Sequence, residues 1–131
     1  MKGLDTNVLV RYLTQDDPGQ SRKANALIEE IAGNGDVAWI NSVVLCELVW
    51  VLRGAYGHDK EEIVSVLEKM LSVAQFLIED KDIARKALEE YRDGDGDFAD
   101  HLIGWQNRRS GCEKTVTFDR RLRKVETFQV L

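Results

Sequence analysis

The chain has 131 residues, the length of one ordinary domain, and 44% of them are hydrophobic, which excludes a disordered tail. Proline occurs once and no linker-like stretch interrupts the sequence, so a single domain over residues 1–131 is predicted. The net charge of −5 argues against a protein that coats nucleic acid by bulk electrostatics, although it permits a nuclease with an acidic site.

Short apolar runs alternate with helical periodicity along the whole chain. In chain order the predicted elements are a strand at 1–4, a helix at 7–14, a helix from 18 to the glycines at 33 and 35, a strand at 37–40, a helix from 42 to about 53, a helix opened by residue 59, a strand at 75–78, a helix at 82–91, a helix from 97 to near 111, a strand at 115–118, a helical turn and a strand at 127–131. Strands separated by helices predict an α/β fold with a central, mainly parallel sheet of about five strands.

The compartment can also be predicted. No run of 18 apolar residues is available for a membrane span, and Asp5 lies where a signal peptide would have its apolar segment. Cys46 and Cys112 lack metal-ligand spacing, and we interpret both as small buried hydrophobic residues. These features together predict a cytoplasmic protein.

Acidic residues follow the first and fourth predicted strands. Asp5 and Asp119 each precede a helical segment, so either could be an N-cap, and each also lies at a strand's carboxyl end, where ligands bind in such sheets. Asp97 and Asp100 resemble a capping box at a helix start, but Asp100 precedes the segment His101–Trp105 and is predicted to face inward. Capping and ligand binding can both be true of one residue.

Glu47 is the only charged residue between Ser42 and Arg53, in a run that is apolar nearly all round the helix. Such a helix is predicted to be buried, and a buried ionised carboxylate is costly unless it is paired or binds a metal. The alternative is that Glu47 reaches solvent or a distant arginine.

Carboxylates that converge on one point repel each other unless a cation compensates their charge. Oxygen ligands without a cysteine or histidine cluster favour Mg²⁺ or Mn²⁺ over Zn²⁺. Such ions can activate water and stabilise the attacking and leaving oxygens in phosphodiester hydrolysis. Metal-dependent hydrolysis of a phosphodiester is therefore the favoured chemistry.

The segments LDTNVLVRYL, SVVLCELVWVL and DFADHLIGWQNRRSGCEKTVTFDRRL resemble the PIN-domain ribonucleases, in particular the VapC-type toxins of toxin–antitoxin pairs. The resemblance implies a three-layer α/β/α domain, usually dimeric, that cuts RNA and is blocked by an antitoxin. It implies that Mg²⁺ or Mn²⁺ is held by Asp5, Glu47, Asp100 and Asp119, with Asp97 as a further candidate. The side chains implied to organise the site are Thr6, Asn7, Ser42 and Thr117.

Seven basic residues lie between Arg108 and Lys124 against two acids. The candidates for contacts with RNA phosphates are Arg108, Arg109, Lys114, Arg120 and Arg121. The alternative is a solvated charged face. Arg11 is a weaker candidate, and two histidines (His58, His101) and four aromatic residues (Trp39, Trp50, Phe98, Trp105) are interpreted as structural, the aromatics as core.

Two other readings compete with a ribonuclease. A phosphotransfer domain fits poorly. A haloacid dehalogenase needs a second aspartate two residues after the first, where this chain has Asn7. A receiver domain needs an aspartate at the end of a mid-chain strand, whereas the mid-chain acid here, Glu47, lies within a predicted helix. A PIN-like scaffold that binds RNA or a partner without cutting is the non-enzymatic alternative.

Overall fold

A computed structural model describes all residues, 1–131. The strands are β1 (Lys2–Gly3), β2 (Ala38–Ile40), β3 (Phe76–Ile78), β4 (Thr115–Thr117) and β5 (Phe128–Val130). The helices are α1 (Thr6–Thr14), α2 (Pro18–Gly33), α3 (Ser42–Gly54), α4 (Lys60–Ser72), α5 (Lys81–Asp93) and α6 (Phe98–Arg109), with a 3₁₀ turn at Arg120–Leu122. Every predicted strand and helix is present, with ends shifted by a few residues.

Residues 1–81 form one compact unit, and residues 82–131 form a second. The first unit contains a parallel sheet in the order β1-β2-β3, in which Gly3 pairs with Trp39 and Ile40 with Ile78. Its centre is apolar: Leu9, Ile40 and Leu48 have no exposed surface. That the whole chain is one domain stays a prediction.

The second unit contains a parallel pair, β4 and β5, in which Thr115 pairs with Phe128. The rings of Tyr91 and Phe98 are both buried and meet edge to face at 6.3 Å between centroids. All strand pairs are parallel, as predicted. The strands form one hydrogen-bonded ladder of three and one of two, where the sequence predicted a single sheet of about five.

Side-chain caps begin α2 and α3. Asp17 accepts a hydrogen bond from the Gln20 backbone N–H at 3.0 Å, and Pro18 follows it as the first residue of α2. Asn41 caps α3: the chain is extended there, and its side chain accepts from the Val44 N–H at 2.9 Å. Ser42 is already the first residue of the helix.

Cys112 is exposed and Cys46 is partly buried, so the prediction of two buried thiols is wrong for Cys112. Burial raises the pKa of the Cys46 thiol, which disfavours its thiolate. No helix combines the length and apolar character required to cross a bilayer.

A polar network ties the end of α1 to the segments around it in the first unit. The Asp16 carboxylate accepts hydrogen bonds from the Tyr56 hydroxyl at 2.6 Å, from the Thr14 hydroxyl at 2.7 Å and from the Arg11 guanidinium at 3.2 Å. The Tyr56 hydrogen bond, followed by that of Thr14, lowers the pKa of Asp16 to about 2. Arg11 also donates to Gln20 at 2.6 Å, so its side chain is used within the fold.

Because the pKa of Asp16 is lowered by folding, its carboxylate stabilises the fold above about pH 4, and this contribution is lost as the pH falls toward 2. We expect Tyr56→Phe, which removes only the hydroxyl, to raise the pKa of Asp16 toward its ordinary value and to move acid unfolding to higher pH. The carboxyl resonance of Asp16, followed by NMR against pH in both proteins, measures the change. Titration of Asp16 at the same pH in both proteins would refute this role for Tyr56.

Candidate active site

Asp5 lies just beyond the carboxyl end of β1 and caps α1. Its carboxylate accepts a hydrogen bond from the Thr6 backbone N–H at 2.8 Å, and its carbonyl accepts from the N–H of Val8 at 3.1 Å. The Asp5 side chain is exposed. The strand-end and capping interpretations are therefore both correct for this residue.

Glu47 is exposed on the outer face of α3, so the prediction that it is buried is wrong. The same face carries Val43, which is 66% exposed, and Trp50, which is 57% exposed. The prediction that Trp50 is a core residue is therefore wrong. The helix buries Val44, Leu45, Leu48, Val49 and Leu52 on its other side. The orientation that buries these five side chains leaves the carboxylate in water, where its charge costs least.

Thr6 links Asp5 and Glu47, the two candidate ligands that lie in the first unit. Its hydroxyl, in a residue that is 5% exposed, donates to Glu47 Oε1 at 3.4 Å, while its backbone N–H donates to Asp5. Asn7 is exposed and borders a cavity of about 320 Å³ with Val8 and Leu27. Thr6 therefore contacts both candidate ligands of the first unit, and its organising role stays a prediction.

Glu79, which the sequence analysis missed, follows β3 directly. Its carboxylate accepts a hydrogen bond from the Ser42 backbone N–H at 2.8 Å, at the start of α3. The strand-end rule that singled out Asp5 and Asp119 applies equally to Glu79 and could have found it. An acidic or amide side chain therefore follows each strand of the three-stranded sheet.

Asp97 and Asp100 form a capping box at the start of α6. The Asp100 carboxylate accepts a hydrogen bond from the Asp97 backbone N–H at 2.8 Å. The turn before them needs glycine at position 96, because its φ is +95° and a Cβ there would lie 2.5 Å from Leu122 Cδ2. Asp100 is partly buried, with 27% of its side chain exposed.

His101, the next residue of α6, is buried and braces this turn. Its ring nitrogens lie 2.9 Å from a carboxylate oxygen of Glu90 and 2.8 Å from the carbonyl oxygen of Asp95. Both contacts are with the chain that leads into the capping box. The structural role predicted for His101 agrees with this position, and the ring fixes the N-terminus of α6 to α5.

Asp119 follows β4 and begins the 3₁₀ turn. Its backbone N–H donates to the Thr117 hydroxyl at 3.0 Å, and its Oδ1 accepts from the Arg121 backbone N–H at 3.0 Å. The Arg121 guanidinium binds both oxygens of Asp119, with Nε at 3.1 and 3.0 Å and Nη2 at 2.6 Å from Oδ2. These hydrogen bonds hold the pKa of the Asp119 carboxyl below its ordinary value.

The other basic candidates differ in the contacts that their side chains make within the second unit. Arg108 donates to Glu126 Oε1 at 3.1 Å, Arg109 pairs with Asp82, and Lys114 donates to the Glu126 carbonyl. Arg120 is exposed. Much of this basic segment is therefore already used in contacts within the second unit.

No group of three or more histidine, cysteine, aspartate or glutamate side chains is arranged to hold a metal ion. The donor chemistry of the second unit nevertheless suits a hard cation, because Asp97, Asp100 and Asp119 all place an oxygen within 3.8 Å of a single nitrogen, Arg121 Nη2. The three carboxylates share one positive charge, which leaves them an excess of negative charge. The chemistry of these oxygen donors suits a divalent cation, while their arrangement with Arg121 in place does not form a metal site.

Comparison with known proteins defines the class of this fold. The family model of the PIN domain matches residues 3–127, and the chain belongs to the PIN-domain family. The α/β fold class predicted from the sequence is confirmed, since PIN domains are three-layer α/β/α folds and all five strands here pair in parallel.

Among curated proteins, a VapC ribonuclease of Aquifex aeolicus (strain VF5) is 31% identical to this chain over 128 residues. The match covers 95% of this chain and 92% of that protein. The resemblance to VapC-type PIN domains that the sequence motifs carry is therefore confirmed. No solved structure gives a significant match.

Proposed function

We propose that this chain is an endoribonuclease that requires Mg²⁺ or Mn²⁺ and acts as the toxin of a type II toxin–antitoxin pair. Similarity to a VapC ribonuclease over nearly the whole chain supports the activity. The observation that carries the metal site is the convergence of Asp97, Asp100 and Asp119 on one cation, the Arg121 guanidinium. The partners we propose are an RNA substrate, a cognate antitoxin and a second copy of the chain in a homodimer, in the cytoplasm.

The proposed metal ligands are Asp5, Glu47, Asp100 and Asp119, with Asp97 as a further ligand or a contact through water. When bound, Mg²⁺ would supply an activated water and stabilise charge on the leaving oxygen. Hydrolysis adds water at phosphorus, breaks the P–O3′ bond and leaves a 5′-phosphate and a 3′-hydroxyl.

The organising residues act on the carboxylates. The Thr6 hydroxyl donates to Glu47 and limits the positions of that exposed side chain. The Thr117 hydroxyl accepts from the Asp119 N–H and fixes the turn that presents Asp119. Asn7 is the second residue of α1 and Ser42 is the first of α3, so both lie near the strand ends. The proposed contacts with RNA phosphates are Arg108, Arg109, Lys114, Arg120 and Arg121.

The test is RNA cleavage by purified protein free of any partner, with Mg²⁺, with Mn²⁺ and with EDTA. Wild type is expected to cut only with metal, and Asp5→Asn to lose this activity. Asp17→Asn is a matched control, because Asp17 also caps a helix through its carboxylate but lies outside the proposed site. Asparagine caps nearly as well as aspartate, so capping alone should affect neither variant strongly.

The absence of a preformed metal group favours one second candidate, a PIN-like module that binds RNA or a partner without cutting. Wild-type protein that cleaves no cellular RNA with either metal, but binds RNA, would support this candidate and contradict the nuclease. Mapping the RNA ends after expression of wild type and Asp5→Asn would separate the two in the cell.

A further inference from the structure

Arg121 makes the densest set of ionic contacts in the second unit. Its guanidinium binds both oxygens of Asp119, and its Nη2 also lies 3.6 Å from Asp97 Oδ2 and 3.8 Å from Asp100 Oδ2. A planar guanidinium suits two-oxygen pairing with a carboxylate, and this pairing explains its closest contact. One side chain therefore neutralises part of the charge of three acids.

Two of these three acids, Asp100 and Asp119, are proposed metal ligands. Their backbone positions do not depend on Arg121's guanidinium: Asp100 is held by the capping box of α6, and Asp119 by the Thr117 hydroxyl. The guanidinium faces Oδ2 of both carboxylates, and a cation bound to these residues would compete with it for those oxygens. Two cations cannot occupy the same oxygens, and their charges repel.

The side chain of Arg121 is not enclosed by the fold and can move into solvent. It is 54% exposed and is carried on a short 3₁₀ turn at the surface of the unit. Exposed ion pairs are weak, since water screens both charges. Because water replaces part of the lost attraction at this exposed position, departure of the guanidinium costs less than it would in the interior, and it leaves the backbone positions of the acids unchanged.

We propose that Arg121 is an internal counter-ion that competes with the metal for Asp97, Asp100 and Asp119, and that it must swing out before the metal binds. This inference rests on the proposed function, because it assumes the metal site. Arg121 then sets the metal concentration at which the site fills.

Direct Mn²⁺ binding tests the proposal without reference to activity. Free Mn²⁺ is measured by its electron paramagnetic resonance signal during titration of wild type, Arg121→Gln, Arg121→Lys and Arg120→Gln. Arg120→Gln is the matched control, since it removes the same charge from the neighbouring exposed residue of the same turn. Arg121→Gln is expected to bind Mn²⁺ roughly fivefold more tightly than wild type, from the loss of an exposed ionic contact.

Arg121→Lys keeps the charge but cannot pair with two oxygens, so its affinity should lie between those of wild type and Arg121→Gln. Arg120→Gln should differ from wild type by less than about twofold, as expected for a screened exposed charge. Circular dichroism spectra of all four proteins exclude misfolding as the cause, and Arg121→Lys keeps the test valid if Arg121→Gln does not fold.

A second readout follows Arg121 itself. Its Nε–H resonance should be slow to exchange without metal, because Nε donates to Asp119, and should exchange faster on addition of Mg²⁺. If wild type binds Mn²⁺ but Arg121→Gln binds no more tightly, or if the resonance does not respond to Mg²⁺, the competition is refuted and the metal site stands. If neither protein binds Mn²⁺, the proposed function fails, and this inference fails with it.

Discussion

Asp100→Asn is expected to lower the rate of metal-dependent RNA cleavage by about 100-fold or more, the size of effect seen when one charge-stabilising group is removed from an active site. The substitution keeps the shape of the side chain, and its amide oxygen can still accept the hydrogen bond from the Asp97 N–H. The capping box and the fold should therefore survive, so the loss reports on the lost charge. Single-turnover cleavage of a labelled RNA at saturating protein measures the rate.

Asp97→Asn is the matched comparison for Asp100→Asn. Both residues belong to one capping box and lie at nearly equal distances, 3.6 and 3.8 Å, from Arg121 Nη2. If Asp97 acts through water or only as a cap, its substitution should lower the rate by about tenfold at most, the lower range for an outer contact. Equal losses in the two variants would make Asp97 a direct ligand, and no loss in Asp100→Asn would remove Asp100 from the site.

Gly104→Ala is expected to destabilise the fold by about 2–3 kcal/mol, the usual cost of overpacking a well-packed interior. Gly104 lies in the middle of α6, where alanine would otherwise be favoured by about 1 kcal/mol. A Cβ at this position would lie 2.3 Å from Thr127 Oγ1 and 2.9 Å from Phe128 Cε2, so α6 could not approach β5 as closely as it does. Chemical denaturation followed by tryptophan fluorescence measures the change in the free energy of unfolding.

Gly54→Ala is the control for Gly104→Ala. Gly54 also belongs to a helix, as the last residue of α3, and a Cβ there would contact nothing. It should be neutral or slightly stabilising. Thr127→Ala combined with Gly104→Ala should recover part of the loss, since it removes the nearest atom, a buried hydroxyl that has no hydrogen-bond partner. Equal stability of wild type and Gly104→Ala would show that α6 can shift away from β5 without cost.

The elements and the strand-end acids could be predicted because both depend on local signals. Strand and helix periodicity, together with caps such as Asp17 and Asp59, fixes the elements within short windows of sequence. Asp5 and Asp119 were found because a strand's end is visible in the sequence. Glu79 satisfies the same rule and was overlooked.

The orientation of α3 could not be predicted in the same way. Nearly every residue of α3 is apolar, so the pattern does not reveal which side of the helix faces solvent. The answer depends on the packing of distant elements, which place Glu47 and Trp50 outside. The pairing of Arg121 with three acids is also a tertiary contact, and the sequence showed only a basic segment in which any arginine could have been the partner.

The register of the three-stranded sheet has a consequence for the evolution of this protein. Ile40 pairs with Ile78, so the residues that follow them, Asn41 and Glu79, are brought side by side by backbone hydrogen bonds alone. A new side chain at this rim therefore leaves the strand pairing intact, although it replaces a hydrogen bond that Asn41 or Glu79 makes to the start of α3. Conversely, a lesion in the central strand β2 would disturb the ends of both neighbouring strands at once, which makes that three-residue strand a point of shared vulnerability.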